Sequence, residues 1–282
     1  SQDALSSYDQ AIAQEPDDAE ALQERGDLRL ALQFYPQAAE DFDRLAGLRP
    51  DMTYAAYRLA IANFAAKSPK AAIDACSRLP ENDRWEETCQ LLTAEATLMG
   101  GDIDAALAKL EALAPQSPVR RHSELLKAAL LLMKGDVDIA SRTIGQYRLA
   151  YPDQLYGAVW AALIAQMSDT PIPTDIVALA DTNDIWPAPI LRWIVRGGAA
   201  ADLLAAANTP DPRLSWQREA EAKLYLGLGA MLAGDEKAAS RYFGDAADAG
   251  YAEQDKDAYP ALYSFSNAQE YALAVWAASS NR

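Results

Sequence analysis

Histidine, cysteine, basic charge and long apolar runs are all scarce in this chain of 282 residues. The single histidine, His122, excludes paired-histidine metal sites and leaves one candidate for any Ser-His or Cys-His arrangement. It follows two arginines in "SPVRRHSELL", near the start of a helix, where a surface histidine is the ordinary expectation. With 25 basic against 41 acidic residues the formal net charge is −16, so a phosphate-backbone partner or an anionic membrane would be repelled, and no basic stripe offsets this. No stretch approaches the ~18 uncharged apolar residues of a membrane span. The opening "SQDALSSYDQ" has neither a basic nor an apolar leader segment. The sequence as it stands reads as soluble, compatible with an export signal or lipid-bearing cysteine removed upstream. Half of the residues are apolar, which argues against disorder and supplies a large core.

What the chain does have is a period. "GDIDAA" at Gly101 and "GDVDIA" at Gly135 lie 34 residues apart, and a looser "GDEKAA" begins at Gly234. Steps of 34 residues from Ala106 give Ala4, Ala38, Ala72 and Ala140. Four residues on, the same steps give the bulky column Tyr8, Phe42, Cys76, Leu110 and Ile144. A third column reads Pro16, Pro50, Arg84, Pro118 and Pro152. Alanine lets two helices cross closely, the large side chain fills the space beside the crossing, and proline stops one helix and opens the next. These are the small, large and proline positions of a tetratricopeptide (TPR) repeat.

The expected fold is therefore all-α, a TPR helix-turn-helix solenoid, with first helices starting near Ala19, Thr53, Glu87, Arg121 and Leu155. Gly26 takes the usual glycine position of the first of these. Gly227, Ala239 and Phe243 bring a later unit, starting near Ala220, into the same register. Between them, "SDTPIPTD" and "DIWPAPILRW" break helices into short pieces. The expected organisation is one continuous solenoid: regular repeats over 1–167, an irregular helical connector over 168–219, and a final repeat with C-terminal helices over 220–282.

No catalytic, cofactor or metal site is expected. In "GDIDAA" the glycine suits a left-handed helix terminus and Asp102 or Asp104 suits the start of the next helix, where a carboxylate accepts orphan amide hydrogens. A calcium loop needs further oxygen ligands, and here the sequence runs directly into "ALAKLEAL". The "GLG" at Gly227 sits inside a helical pattern, no GxSxG elbow is present, and the many carboxylates read as a solvated surface. Cys76 takes the large position of one second helix and Cys89 the opening turn of the next, so the two can face each other. A disulfide is one reading; two small buried apolar side chains is the other.

First helices line the concave face of a TPR solenoid, and their inward positions here are apolar. They give Tyr54, Tyr57, Ile61 and Phe64, then Leu91, Glu95 and Leu98, then His122, Leu125 and Leu132, then Tyr156, Val159 and Leu163, with Trp160 close by. Such a groove would suit an amphipathic helix or an extended peptide from a protein partner. The alternative is that the superhelix closes on itself, or C-terminal helices fill the groove, and the row is core.

"ERG" at Glu24 to Gly26, "DF" at Asp41 and Phe42, and "RPDM" at Arg49 to Met52 resemble the first full repeat of the NlpI family, bacterial outer-membrane TPR lipoproteins. "YLGLGAMLAGDEKAASRYFGDAADAG" is similar to that family's last repeat, and "DIWPAPILRWIVRG" to its tryptophan-containing irregular helices. The resemblance implies a periplasmic, lipid-anchored, homodimeric adaptor that holds a tail-specific protease and presents peptidoglycan hydrolases to it. An oxidising periplasm would favour a bridge between Cys76 and Cys89. A structural, dimerising component of an envelope or secretion assembly is the alternative function.

Overall fold

The computed structural model describes residues 2–114, 117, 119–248, 273–274 and 276–278. Every regular element among them is a helix. The expected C-terminal helices beyond 248, and Pro118 of the proline column, lie largely outside the described residues.

The helices from α1 to α10 alternate with the period of the sequence. They are α1 (Gln2–Gln14), α2 (Ala19–Ala31), α3 (Tyr35–Leu48), α4 (Thr53–Ala65), α5 (Pro69–Cys76), α6 (Glu86–Met99), α7 (Ile103–Ala112), α8 (Arg120–Met133), α9 (Val137–Ala150) and α10 (Leu155–Met167). First helices thus begin within a residue of the expected positions. The alanine column is buried at Ala38, Ala72, Ala106 and Ala140, and the large column at Phe42, Cys76, Leu110 and Ile144. Its first members differ: Ala4 is exposed and Tyr8 half-buried on α1.

The backbone shows why the period holds. Gln33, Lys67, Gly101, Gly135 and Asp169 follow one another at 34-residue steps, and all have positive φ, between 51° and 96°. After each, the next amide reaches back to a carbonyl five residues earlier. These bonds run from Phe34 to Arg29 (2.8 Å), Ser68 to Asn63 (2.9 Å), Asp102 to Thr97 (3.3 Å), Asp136 to Leu131 (2.9 Å) and Thr170 to Ala165 (2.9 Å). Gly234 (φ 73°) and the Asp235 to Ala230 bond (2.9 Å) repeat the turn once more. This is the Schellman closure, in which a left-handed residue ends one helix and satisfies its last carbonyls. Four of the following helices open in one of two ways. Asp102 and Asp235 accept the amides of Ala105 and Ala238, both at 2.9 Å, while α3 and α5 carry proline in their first turn.

The chain divides into two compact units, with the described boundary between Val119 and Arg120, inside the run of regular repeats. In unit 1 each of α1 to α7 packs on its neighbour, and α4 also meets α6. α5 is the short member. The chain leaves it at Cys76, and the proline-column exception Arg84 falls in the segment before α6, its guanidinium 4.5 Å from the Trp85 ring centre. In unit 2, α8, α9 and α10 continue the alternation, followed by α11 (Thr174–Thr182), α12 (Ala188–Arg196) and α13 (Ala200–Ala206). These short helices sit where proline and turn residues were expected to interrupt the regular pattern. Then come α14 (Pro212–Leu232) and α15 (Glu236–Asp248), which pack together. α14 starts at Pro212, ahead of the expected Ala220, because proline suits a first helical turn and no further proline follows it in "PRLSWQREAEAKLYLGLGAML".

Candidate protein-binding face

The inward row read from the first helices is core. In unit 1, Tyr57, Ile61 and Phe64 of α4 and Leu91, Glu95 and Leu98 of α6 are at most 4% exposed. Tyr54 is half-buried. Tyr57 stacks on Trp85, centroids 4.1 Å apart and planes within 6°, so an aromatic from the segment before α6 covers it. In unit 2, His122, Leu125, Val159 and Trp160 are buried and Tyr156 is half-buried. Here α14 supplies the cover: Tyr225 packs a tilted ring against Trp160 at 5.9 Å, and Leu228 closes with Leu132 and Leu163 around a small apolar pocket. The expectation of an exposed apolar groove is corrected accordingly. At helical spacing such a row is buried whenever a further group reaches it, as Trp85 does at Tyr57 and α14 does at Trp160, Leu132 and Leu163.

His122 is also corrected. It is buried rather than a surface residue, and burial together with the neighbouring Arg121 pushes its pKa down to about 4. The imidazole is therefore neutral at pH 7. Cys76 and Cys89 form a disulfide, Cα atoms 5.4 Å apart, tying the end of α5 to the first turn of α6. Asp102 acts as the helix cap described above, and Asp104 is exposed.

Several carboxylates depart from the solvated surface expected of them. Asp41 on α3 is buried, accepting two bonds from Arg25 (2.6 and 3.1 Å) and one from Arg29 (2.7 Å) on α2. Arg25 also reaches Asp9 of α1 at 2.7 Å. Asp27 of α2 is buried against Arg58 (2.7 Å) and accepts from the Tyr54 hydroxyl (3.0 Å), both on α4. In unit 2, Glu221 is buried and accepts from the Trp186 indole at 2.7 Å. The sequence held one signal for the first of these: Arg25 and Asp41 have the same separation as Gly26 and Phe42, so "ERG" and "DF" meet as a set. A Cβ at Gly26 would stand 2.8 Å from the Phe42 ring, which explains the glycine.

Among the described residues, two of the open concavities stand out. One, in unit 1, lies over the disulfide between Leu79, Glu86, Lys109 and Leu113. The other, in unit 2, lies between α9 and α11, where the Arg148–Asp175 ion pair adjoins the exposed Leu149. Among the described residues no group of three or more His, Cys, Asp or Glu is arranged to hold a metal ion, and no helix is long and apolar enough to cross a membrane. No protein-family model matches the chain, and no curated protein matches it in sequence.

Proposed function

We propose that this chain is a non-catalytic protein-binding scaffold built on tetratricopeptide-type repeats, and within that class a periplasmic adaptor linking a tail-specific protease with cell-wall hydrolases. The observation that carries the scaffold is the turn recurring every 34 residues from Gln33 to Asp169, with its left-handed residue and its amide-to-carbonyl bond. Helix pairs stacked at a fixed step build extended surfaces, and extended surfaces suit protein recognition. Two proteins held on one such surface meet at high effective concentration without new chemistry.

The adaptor role is supported by the resemblance to the NlpI family, whose quoted residues are in mutual contact here: Arg25 with Asp41, Gly26 with Phe42 and Gly227 with Phe243. The Cys76–Cys89 bridge fits an oxidising compartment such as the periplasm. Homodimerisation and attachment to the outer membrane through an upstream lipid belong to the same resemblance. The alternative, a dimerising structural component of an envelope or secretion assembly, is favoured by one observation, the burial of the inward row from Tyr57 to Trp160.

The test is capture of partners from an envelope extract on the immobilised protein, beside a bare-matrix control, with identification by mass spectrometry. Enrichment of a tail-specific protease or a cell-wall hydrolase is expected. Recovery of the chain alone would replace the adaptor with the structural component.

A further inference from the structure

Glu95 is a buried ionisable group that the scaffold does not use. It lies in the interior of α6 between Leu91 and Leu98, and all three have 0% exposure. Neither carboxyl oxygen has a hydrogen-bond partner among the described residues. Buried polar groups are normally paired, so an unpaired acid in an apolar setting calls for a reason.

Among the described residues the helices that pack most closely on α6 are α4, α5 and α7, and none offers Glu95 a counter-charge. On α4 the cation is Arg58, held by Asp27 at 2.7 Å, and the phenols are Tyr54, bonded to Asp27, and Tyr57, stacked on Trp85. Lys70 and Asp74 of α5, and Asp104, Lys109 and Glu111 of α7, are exposed. On α6 itself, Glu86 accepts from the Asn82 amide (2.6 Å) and Glu87 from the Ser117 hydroxyl (3.1 Å). Burial therefore acts alone on Glu95 and holds its pKa well above the usual carboxylate range.

We propose that Glu95 is a protonation-gated lock on unit 1: the neutral acid is accommodated between α6 and its neighbours, and loss of the proton drives α6 to open until water reaches the carboxylate. An ionised carboxylate without a partner cannot stay in an apolar interior at a tolerable energy, so ionisation and opening are coupled. The direction follows from linkage. Below the ordinary carboxylate range the folded and unfolded chains both hold the proton, and the stability is fully present. As pH rises past that range the unfolded chain releases it first, and folding weakens about tenfold per pH unit until the folded acid also ionises. Opening would uncover the row of Tyr57, Leu91 and Leu98. Use of that row by a partner rests on the scaffold function; the pH dependence of folding does not.

The test measures urea unfolding of the full chain across pH for wild type, Glu95→Gln and Glu95→Leu. Asp51, Asp175 and Asp181, whose pKa values are lowered mainly by arginine hydrogen bonds, impose an opposite trend common to all three proteins. The difference between proteins therefore isolates Glu95. The expected result is a wild-type folding constant that falls relative to both variants, by up to about tenfold per pH unit above the carboxylate range. Parallel profiles in all three proteins would overturn the lock. The leucine variant keeps the test decisive if the glutamine variant fails to fold.

Discussion

Gly26 with Phe42 in unit 1 and Gly227 with Phe243 in unit 2 make the same contact in different surroundings. A Cβ at either glycine would come within 2.8 Å or 2.6 Å of the phenylalanine ring, and both pairs span the same sequence separation. Their flanks differ: Arg25 and Asp41 form a buried ion pair beside the first, whereas Leu226 and Tyr242 stand at the matching places beside the second. The contact of small with large is thus what the repeat requires, and the ionic flank is a local addition. The intervening repeats agree. Stepping by 34 from Gly26 gives Ala60, Ala94 and Ala128, each fully buried, and their large-column counterparts Cys76, Leu110 and Ile144 are smaller than phenylalanine. One extra carbon on the small side goes with a smaller group on the large side, as close-packed interiors demand.

The difference between the units can be broken first at the ion pair. Asp41→Ala leaves Arg25 and Arg29 without their buried acceptor and is expected to cost about 3 kcal/mol in urea unfolding, while Tyr242→Ala in unit 2 should cost about 1 kcal/mol. Reduction of Cys76–Cys89 comes next. Its short loop predicts a loss of roughly 2–3 kcal/mol. Because the chain has no other cysteine, hydrogen exchange should quicken in α5 and α6 and stay unchanged in α14 and α15. The smallest effect is expected at the repeated turn. Lys67 holds a left-handed conformation (φ 57°) that Gly101 and Gly135 adopt without strain, so Lys67→Gly should stabilise by about 0.5 kcal/mol, against a loss of about 1 kcal/mol for Gly135→Ala.

The period was legible in the sequence because alanine, the large residue and proline each answer a steric need at one place in the repeat. Three of the turns were hidden, since Gln33, Lys67 and Asp169 do not announce a left-handed backbone as Gly101 does. The early start of α14 lies outside the Gly227 register, since it is set by the helix-opening Pro212 and not by the repeat. The candidate face was legible only in part. Helical spacing picked out Tyr57, Phe64 and Leu98 in unit 1 and Trp160 in unit 2 as apolar positions of their helices, but periodicity cannot say whether such positions meet solvent or another element. Trp85 covers Tyr57 and Tyr225 covers Trp160 through contacts distant in sequence or set by an irregular segment. Asp41 and Glu95 show the same limit, for a carboxylate's burial depends on neighbours that composition does not name.

The measurement that bears most directly on size complementarity is a double-mutant cycle in unit 2, on Gly227→Ala and Phe243→Leu. In the wild-type background the added methyl group collides with the ring and should cost about 1–3 kcal/mol. With Phe243→Leu the pair matches the Ala94 and Leu110 of unit 1, so the same methyl should be neutral, or stabilise by up to about 1 kcal/mol through helix propensity. The account predicts that coupling. Additive effects of the two substitutions would contradict it.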